Sequence, residues 1–201
     1  MNDHYYTREP ASASRPSTCA FTWRGHPMTF VTDSGVFSKG ELDRGTQLLL
    51  DALPSLSGEV LDLGCGWGAI GVTLAKAFPD ARVTMADVNL RALSLAAENA
   101  RRNGVSCETV ESDGLSALKE RRFDAIVTNP PIRAGKQVIY RLFAESADRL
   151  APGGALYIVI RKQQGAESCV RYLESIGMDV EKLDRSSGFW VLRAGKTEVE
   201  A

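Results

Sequence analysis

The feature that most constrains the fold is a regular alternation of short apolar runs and amphipathic helical stretches, which begins near residue 59. The apolar runs have strand-like length and composition, and they cover residues 59–63, 82–86, 107–111, 123–128 and 155–160. The helical stretches between and after them cover residues 69–78, 90–103, 115–119, 136–150 and 164–176. Such alternation is typical of βαβ crossovers, which build a parallel sheet with helices on both faces. The sequence therefore predicts an α/β fold whose ligands bind beyond the carboxyl ends of the strands.

Two predicted hairpins flank this alternating region. Residues 19–24 and 28–32 are β-prone runs around a Gly-His-Pro turn, and a helix with leucines on one face follows until Pro54. Residues 178–183 and 189–193 flank a polar turn and predict a terminal antiparallel hairpin. We therefore divide the chain into an irregular lead (1–18), a hairpin and helix extension (19–57) and a catalytic domain (58–201).

Composition limits the chain to one globular domain of balanced charge. Its 201 residues, 44% of them hydrophobic, can bury one substantial core. The formal net charge of -1 leaves no global nucleic-acid footprint, although local basic clusters can still bind one. Four scattered cysteines without a paired motif indicate reduced thiols. No apolar run approaches the roughly 18 residues of a membrane span, and the sequence has no signal pattern, so we expect a cytoplasmic protein without a membrane partner. We also expect no metal.

A glycine-rich loop closes the first strand of the alternating region. Residues 62–68 read Asp-Leu-Gly-Cys-Gly-Trp-Gly, and glycines at such a turn let backbone approach a ligand that a Cβ would repel. Asp87 ends the second strand, a position from which a carboxylate can accept both hydroxyls of a ribose. These features predict a nucleotide-type cofactor and fit NAD and S-adenosylmethionine equally; the alternative is a tight turn without a ligand.

Two further residues favour S-adenosylmethionine. Asp62 precedes the loop and can meet the ammonium of a methionine moiety, whereas a pyrophosphate would avoid a nearby carboxylate. Gly68 adds a third glycine at the helix start. Asp113 follows the third strand and can accept the adenine amino group; its alternative role is to cap the helix before Leu115.

The chemistry is indicated by residues 129–132, Asn-Pro-Pro-Ile, which follow the fourth strand. The Asn129 side-chain carbonyl and the Pro130 backbone carbonyl can each accept one hydrogen of a planar amino group. Pro131 stiffens the loop because its φ is fixed and it has no N–H to compete for acceptors. Ile132 can pack against a ring face. The alternative is an ordinary turn at the end of a strand.

In combination these motifs resemble the class I S-adenosylmethionine-dependent methyltransferases, and more narrowly the methyltransferase small domain found in bacterial small-subunit rRNA guanine-N2 methyltransferases. The resemblance covers roughly residues 4–196 and is carried by residues 35–38, 42–50, 62–68, 87–89, 112–113 and 129–132. It implies a Rossmann-like, seven-stranded, mostly parallel sheet with an antiparallel last strand. It also implies S-adenosylmethionine contacts from Phe37, Ser38, Asp62, Gly64, Cys65, Gly66, Gly68, Asp87, Val88, Asp113, Gly114 and Asn129.

The implied activity is methyl transfer to an exocyclic amino group, most specifically guanine N2 of small-subunit rRNA. Ile132 stands where adenine- and glutamine-directed relatives often carry an aromatic residue, which disfavours those targets. We expect Arg133, Lys136, Arg161 and Lys162 to form one basic rim for a phosphate-bearing substrate; solvated charges are the alternative.

Three other functions stay open at this point. A protein glutamine side chain presents the same planar nitrogen as a base amino group. A non-catalytic protein that binds the cofactor and RNA would not need the Asn129 carbonyl as an acceptor for an amino group. A dinucleotide oxidoreductase would need a proton donor, which we do not find in the sequence. Relatives of the ribosomal type often carry a second, degenerate domain, for which this chain has no room. Target recognition then falls to the N-terminal extension, to surface loops or to a second subunit in a homodimer.

Overall fold

A computed structural model describes residue 8 and residues 12–196. Much of the predicted irregular lead (residues 1–7 and 9–11) and the last five residues (197–201) lie outside the described part. Within it the strands are β1 (Ser17–Trp23), β2 (His26–Thr32), β3 (Gly58–Leu63), β4 (Ala81–Asp87), β5 (Glu108–Glu111), β6 (Phe123–Thr128), β7 (Leu150–Arg161), β8 (Met178–Ser186) and β9 (Phe189–Lys196). The helices are α1 (Arg44–Ala52), α2 (Ala69–Ala77), α3 (Leu90–Arg102), α4 (Lys136–Arg149) and α5 (Ala166–Ser175), with short 3-10 turns at Ser116–Leu118, Ile132–Ala134 and Lys162–Gln164.

Seven strands form the central sheet in the order β5-β4-β3-β6-β7-β9-β8. The first five are mutually parallel, and β9 runs antiparallel to both β7 and β8. Residues alternate between the two faces, so Val60 packs on one side with α1, α2 and α3, while Leu61 packs on the other with α4 and α5. The predicted Rossmann-like fold is confirmed. The chain reverses its strand order between β3 and β6, the position where such sheets bind ligands.

The N-terminal hairpin packs into the same core as the sheet. Trp23, Met28 and Phe30 are buried in one cluster with side chains of α1, α2 and α3. The turn between β1 and β2 has positive φ at Arg24 (46°) and Gly25 (80°), as a two-residue turn that follows strand twist requires. The turn of the terminal hairpin also has positive φ, at Ser187 (51°) and Gly188 (76°).

Several element boundaries differ from the sequence-based ones. The first strand begins at Ser17, inside the stretch predicted to be irregular, because Ser17 and Thr18 pair with Thr32 and Val31 across the hairpin. The fifth parallel strand begins at Leu150 instead of residue 155 and passes through Pro152-Gly153-Gly154. A register shift accommodates that stretch, with Phe123 opposite Leu150 but Ala125 opposite Ala155. A Cβ at residue 154 would lie 2.8 Å from the Phe123 carbonyl oxygen, so this bulge needs glycine.

None of the helices in the described residues is both long and apolar enough to cross a membrane.

Candidate active site

A cavity of about 650 Å³ opens beyond the carboxyl ends of β3, β4, β6 and β7. Its walls include the loop before α1, the glycine-rich loop, the end of β4, the loop after β6 and the end of β7. Of the predicted site residues, the cavity is lined by Phe37, Ser38, Gly64, Cys65, Gly66, Asp87, Asn129, Pro130, Pro131, Ile132, Arg133 and Arg161. Residues from widely separated parts of the sequence therefore share one surface.

The glycine-rich loop forms the floor of the cavity. Gly64 and Gly66 have φ of 72° and 54°, and a Cβ at either position would meet no protein atom within 4 Å. Because both residues line the cavity, these side chains would project into space that a ligand can use. Gly68 differs, since it does not line the cavity and its Cβ would lie 3.2 Å from Ala96. In the structure Gly68 permits close packing of α2 against α3, and its cofactor contact stays a prediction.

Asp62 lies completely buried beneath this loop. Its Oδ2 accepts the Gly71 N–H at 2.8 Å, while its Oδ1 is buried without a hydrogen-bond partner among the described residues. Burial raises the pKa of the Asp62 carboxyl to about 7. A buried acceptor without a donor is uncommon in a folded protein and indicates a missing partner such as an ammonium or a water.

Asp87 ends β4 at the cavity wall, as predicted for a ribose contact. Its carboxylate is held in place by the backbone N–H groups of Gly66 (2.8 Å) and Asn89 (2.9 Å). Burial also raises the pKa of Asp87 above its ordinary value. The Cys65 thiol beside it is buried, and burial together with the Asp87 and Asp62 charges raises its pKa well above the ordinary value, so it stays neutral. Val88 does not line the cavity.

Asp113 and Gly114, which the resemblance places near the adenine, contact α4 in the structure. The Asp113 carboxylate accepts two hydrogen bonds from Arg141, at 2.6 and 3.2 Å, and lies outside the cavity lining. It does not cap the following turn either, since the side-chain acceptor there is Ser112 Oγ, which receives the Ala117 N–H. At Gly114 a Cβ would lie 2.4 Å from Glu145, so this glycine permits close approach of α4. Arg141 lies 28 positions from Asp113, so local sequence does not indicate this contact, and the adenine contact stays a prediction.

The loop of residues 35–38 covers one side of the cavity. Trp67, in the glycine-rich loop, donates its indole N–H to the Phe37 carbonyl at 2.9 Å and joins the two loops. The Phe37 side chain is 40% exposed, the one large hydrophobic residue in the described part of the chain that is so accessible. Ser38 has a φ of 55°, which turns the chain back toward α1. The resemblance implied that these residues lie over the cofactor, and both line the cavity.

The Asn-Pro-Pro-Ile loop and the glycine-rich loop line the same cavity. The Asn129 side-chain nitrogen donates to Thr46 Oγ1 at 3.0 Å and lies 3.4 Å from each carboxylate oxygen of Asp43. Pro131 has φ -74° and ψ 78°, and the Ile132 N–H donates to the Pro130 carbonyl at 2.9 Å, which together define an inverse γ-turn. The loop is therefore rigid without regular secondary structure.

Two of the four cations predicted for the rim line the cavity. Arg133 and Arg161 do so, and the Arg161 guanidinium stacks on the Phe189 ring at 4.8 Å. Lys136 and Lys162 do not line it; the Lys136 ammonium lies instead over the Tyr140 ring at 5.2 Å. Arg44 is a third lining cation, which the sequence did not identify.

Sequence reasoning also missed Asp43 and Thr46. Asp43 caps α1, accepting the N–H groups of Gly45 and Thr46 at 3.0 and 3.2 Å, and an aspartate before a helical run is a recognisable capping signal. Its second contact, with Asn129, joins residues 86 positions apart and leaves no local signal.

Comparison with known proteins agrees with this geometry. T. thermophilus 16S rRNA N2 G1207 methyltransferase, solved with S-adenosylmethionine and guanosine, is 32% identical with a TM-score of 0.82, and the match covers 94% of this chain and 52% of that one. A fold of this kind with a glycine cradle and an Asn-Pro-Pro loop defines an S-adenosylmethionine-dependent methyltransferase. Residues 27–193 match the methyltransferase small domain, and the chain belongs to that family.

Some relatives match this chain over their whole length, and others match it over only part of theirs. YbxB of Bacillus subtilis (strain 168), described as uncharacterized, is 42% identical over 200 residues, covering 98% of this chain and all of the relative. Ribosomal RNA small subunit methyltransferase C of Hahella chejuensis is 45% identical over 140 residues, or 67% of this chain and 41% of the relative. The chain thus spans about half the length of the rRNA methyltransferases it matches.

The residues present fit S-adenosylmethionine. Gly64 and Gly66 leave space that a Cβ would fill, Asp87 presents a fixed carboxylate, and the Asp62 Oδ1 is a buried acceptor without a donor among the described residues. When bound, the cofactor supplies an electrophilic methyl group on a sulfonium. A neutral amide at Asn129 suits a site next to that cation, because it forms no ion pair with it.

Proposed function

We propose that this protein is an S-adenosylmethionine-dependent N-methyltransferase that acts on an exocyclic amino group, guanine N2 of small-subunit rRNA. One observation carries the proposal: the Asn129 side-chain nitrogen is held by Thr46 and Asp43, which leaves the carbonyl oxygen of the same amide as an acceptor. Asn129 and the next residue, Pro130, both line the cavity.

Such a pair of acceptors answers the main difficulty of the reaction. The lone pair of a guanine amino nitrogen is delocalised into the ring, so the nitrogen is a poor nucleophile. Asn129 Oδ1 and the Pro130 carbonyl can each accept one amino hydrogen, which favours a tetrahedral nitrogen with its lone pair directed at the methyl donor. The Pro130 carbonyl already accepts the Ile132 N–H, and its second lone pair serves the substrate. The inverse γ-turn fixes its direction.

RNA as the substrate is supported by the relatives and by the charges at the cavity. Several of the relatives that match part of the chain are named as small-subunit rRNA methyltransferases, and one related structure holds guanosine. Three arginines, Arg44, Arg133 and Arg161, line the cavity and outnumber its two lining carboxylates, Asp43 and Asp87, which favours an anionic substrate. We propose that target selection uses these arginines, the N-terminal hairpin or a second copy of the chain.

Protein glutamine methylation is the alternative that uses the same clamp. Ile132 lines the cavity where an aromatic residue would favour that chemistry or an adenine, and the basic rim suits a polyanion better than a protein. A non-catalytic binding module would not need the held amide of Asn129.

The direct test is to supply the protein with S-adenosylmethionine carrying a labelled methyl group, together with isolated small-subunit RNA, assembled subunits and total cell protein. We expect label in N2-methylguanosine, to be mapped against RNA from a strain that lacks the gene. Asn129→Ala should abolish turnover while the cofactor dissociation constant stays within about threefold. Label in protein alone would support the glutamine alternative, and binding without any transfer would support the non-catalytic one.

A further inference from the structure

Asp43 and Thr46 form a polar pair at the start of α1. Both side chains contact the side-chain nitrogen of Asn129. Asp43 precedes the helix and its Oδ1 accepts the Gly45 and Thr46 N–H groups, so the carboxylate is fixed in place. Thr46 is 4% exposed, and its hydroxyl lies 3.0 Å from Asn129 Nδ2. Both residues line the cavity.

The chemistry of these two partners determines which way the Asn129 amide faces. A carboxylate accepts hydrogen bonds and cannot donate them. The end of the amide nearest Asp43 must therefore be its NH2 group, because the reverse orientation would place the amide oxygen against two carboxylate oxygens. Thr46 Oγ1 accepts a further hydrogen bond from the same nitrogen. The amide oxygen is consequently at the opposite end of the group, away from the carboxylate.

We propose that Asp43 and Thr46 are positioning residues for the methyl transfer: they hold the Asn129 carboxamide in the one orientation that presents its oxygen to the substrate amino group. The negative charge at Asp43 also polarises the amide and makes its oxygen a stronger acceptor. This inference rests on the proposed function. In this role each residue acts through its contact with Asn129.

Without this pair the amide would be free to rotate by half a turn. In that state Asn129 would present its NH2 group to the substrate amino group, and two donors would face each other. The glycine-rich loop and the Asn-Pro-Pro loop would then still bind the cofactor and the substrate, but the substrate amino nitrogen would be poorly oriented. The expected signature is therefore a loss of kcat with little change in KM or in cofactor binding.

Two variants separate this role from helix capping and packing. Asp43→Asn keeps a capping acceptor, since asparagine caps helices as well as aspartate does, but it removes the charge and adds a donor that can face the amide. Thr46→Val removes the hydroxyl and keeps the shape, while Thr46→Ser keeps the hydroxyl. The matched controls are Asp51→Asn, on the same helix but bonded to Trp23, and Thr73→Val, whose hydroxyl bonds to Ala69 in α2.

We expect Asp43→Asn and Thr46→Val each to lower kcat at least tenfold, with KM and the cofactor dissociation constant within about threefold of wild type. Thr46→Ser should recover most of the activity, and the controls should stay within twofold. In the Asp43→Asn, Thr46→Val double variant, the fold-decrease in kcat should be smaller than the product of the two single fold-decreases, because both residues act on one amide. Unchanged kcat in the two variants, or a parallel loss of cofactor binding and of stability, would overturn the proposal.

A second readout does not depend on the substrate. In a nitrogen-15 NMR spectrum the Asn129 side-chain NH2 pair can be identified by its absence in Asn129→Ser. It should exchange slowly with water in the wild type and at least tenfold faster in the Asp43→Asn, Thr46→Val double variant. Fast exchange in the wild type would overturn the inference. If the amide is protected but no RNA is methylated, the proposed substrate fails and the positioning role stands.

Discussion

Asn99 in α3 exchanges two hydrogen bonds with the backbone of Val31 in β2: its Oδ1 accepts the Val31 N–H at 2.7 Å, and its Nδ2 donates to the Val31 carbonyl at 2.8 Å. Asn103, one helical turn later, makes the same pair of bonds with Thr29. The side-chain amides thus pair with the edge of β2 as a neighbouring strand would. Asn99 Nδ2 also donates to the Trp67 carbonyl at 2.8 Å, which connects the hairpin to the glycine-rich loop.

Asn99→Ala should therefore destabilise the protein and weaken cofactor binding together. The substitution leaves three backbone groups without their partner, and each such group costs about 1–3 kcal/mol when buried. We expect a loss of at least about 2 kcal/mol in the free energy of unfolding, measured with urea, and a raised cofactor dissociation constant. Ser94→Ala, at an exposed position of the same helix, is the control. Equal stability of the two variants would contradict this account of the hairpin.

Asp62 gives the folded protein a specific dependence on pH. Its pKa is raised to about 7 in the folded state, above the ordinary value of 3.8, so the native state holds a proton that the unfolded chain has lost. Stability should therefore fall as pH rises from about 4 to about 7 and level off above, by at most about 4 kcal/mol for this group. Urea unfolding at several pH values should show a shallower fall in Asp62→Asn than in wild type. The exposed Asp179→Asn should leave the fall unchanged.

The same carboxyl should release a proton when the cofactor binds. An ammonium near the orphaned Oδ1 favours the charged form of Asp62, so its pKa drops on binding. Calorimetry at about pH 6.5 in two buffers of different ionisation enthalpy should report net proton release in wild type and less release in Asp62→Asn. Identical proton release in the two proteins would show that the ammonium lies elsewhere.

The hydrogen bond between Trp67 and Phe37 should contribute more to cofactor affinity than to the stability of the fold. Trp67→Phe removes the N–H that reaches the Phe37 carbonyl and retains an aromatic ring for contact with Phe30. We expect cofactor affinity to fall about fivefold, the equivalent of about 1 kcal/mol for one neutral hydrogen bond. Trp23→Phe is a matched control, because its indole N–H bonds to Asp51 at 3.0 Å and Asp51 does not line the cavity. A similar loss in both variants would assign the effect to packing.

The lining arginines should determine the salt dependence of RNA binding. Arg133→Ala and Arg161→Ala should each lower affinity and reduce the salt slope by about one unit for each phosphate that the arginine neutralises in the wild type. Lys136→Ala should change the slope less, because Lys136 does not line the cavity and lies over Tyr140. Arg101→Ala, on an exposed position of α3, serves as the background. A uniform slope across all four variants would contradict a role for this rim.

Much of this molecule follows from local sequence patterns. The alternation of apolar and helical runs predicts the parallel sheet because period and length report which faces a segment buries. The glycine-rich loop, Asp87 and the Asn-Pro-Pro sequence were placed correctly at strand ends, because a βαβ unit brings those ends to one edge. Boundaries failed where pairing overrode composition: Ser17 joins a strand through its cross-strand partner, and Gly154 continues β7 through a bulge.

Tertiary structure alone decided which polar groups meet. Asp113, which the sequence predicts near the adenine, is paired with Arg141, and Asp43, which the sequence marks only as a helix cap, contacts Asn129. In each case the two partners lie far apart in sequence, and hydrogen bonds act only at contact distance, so no periodicity or motif encodes them. The sequence by itself determined the sheet and the glycine-rich loop, and it predicts the type of atom that reacts. Packing of α1 and α4 against the sheet determined how the acceptor amide is oriented and which charges face the cavity.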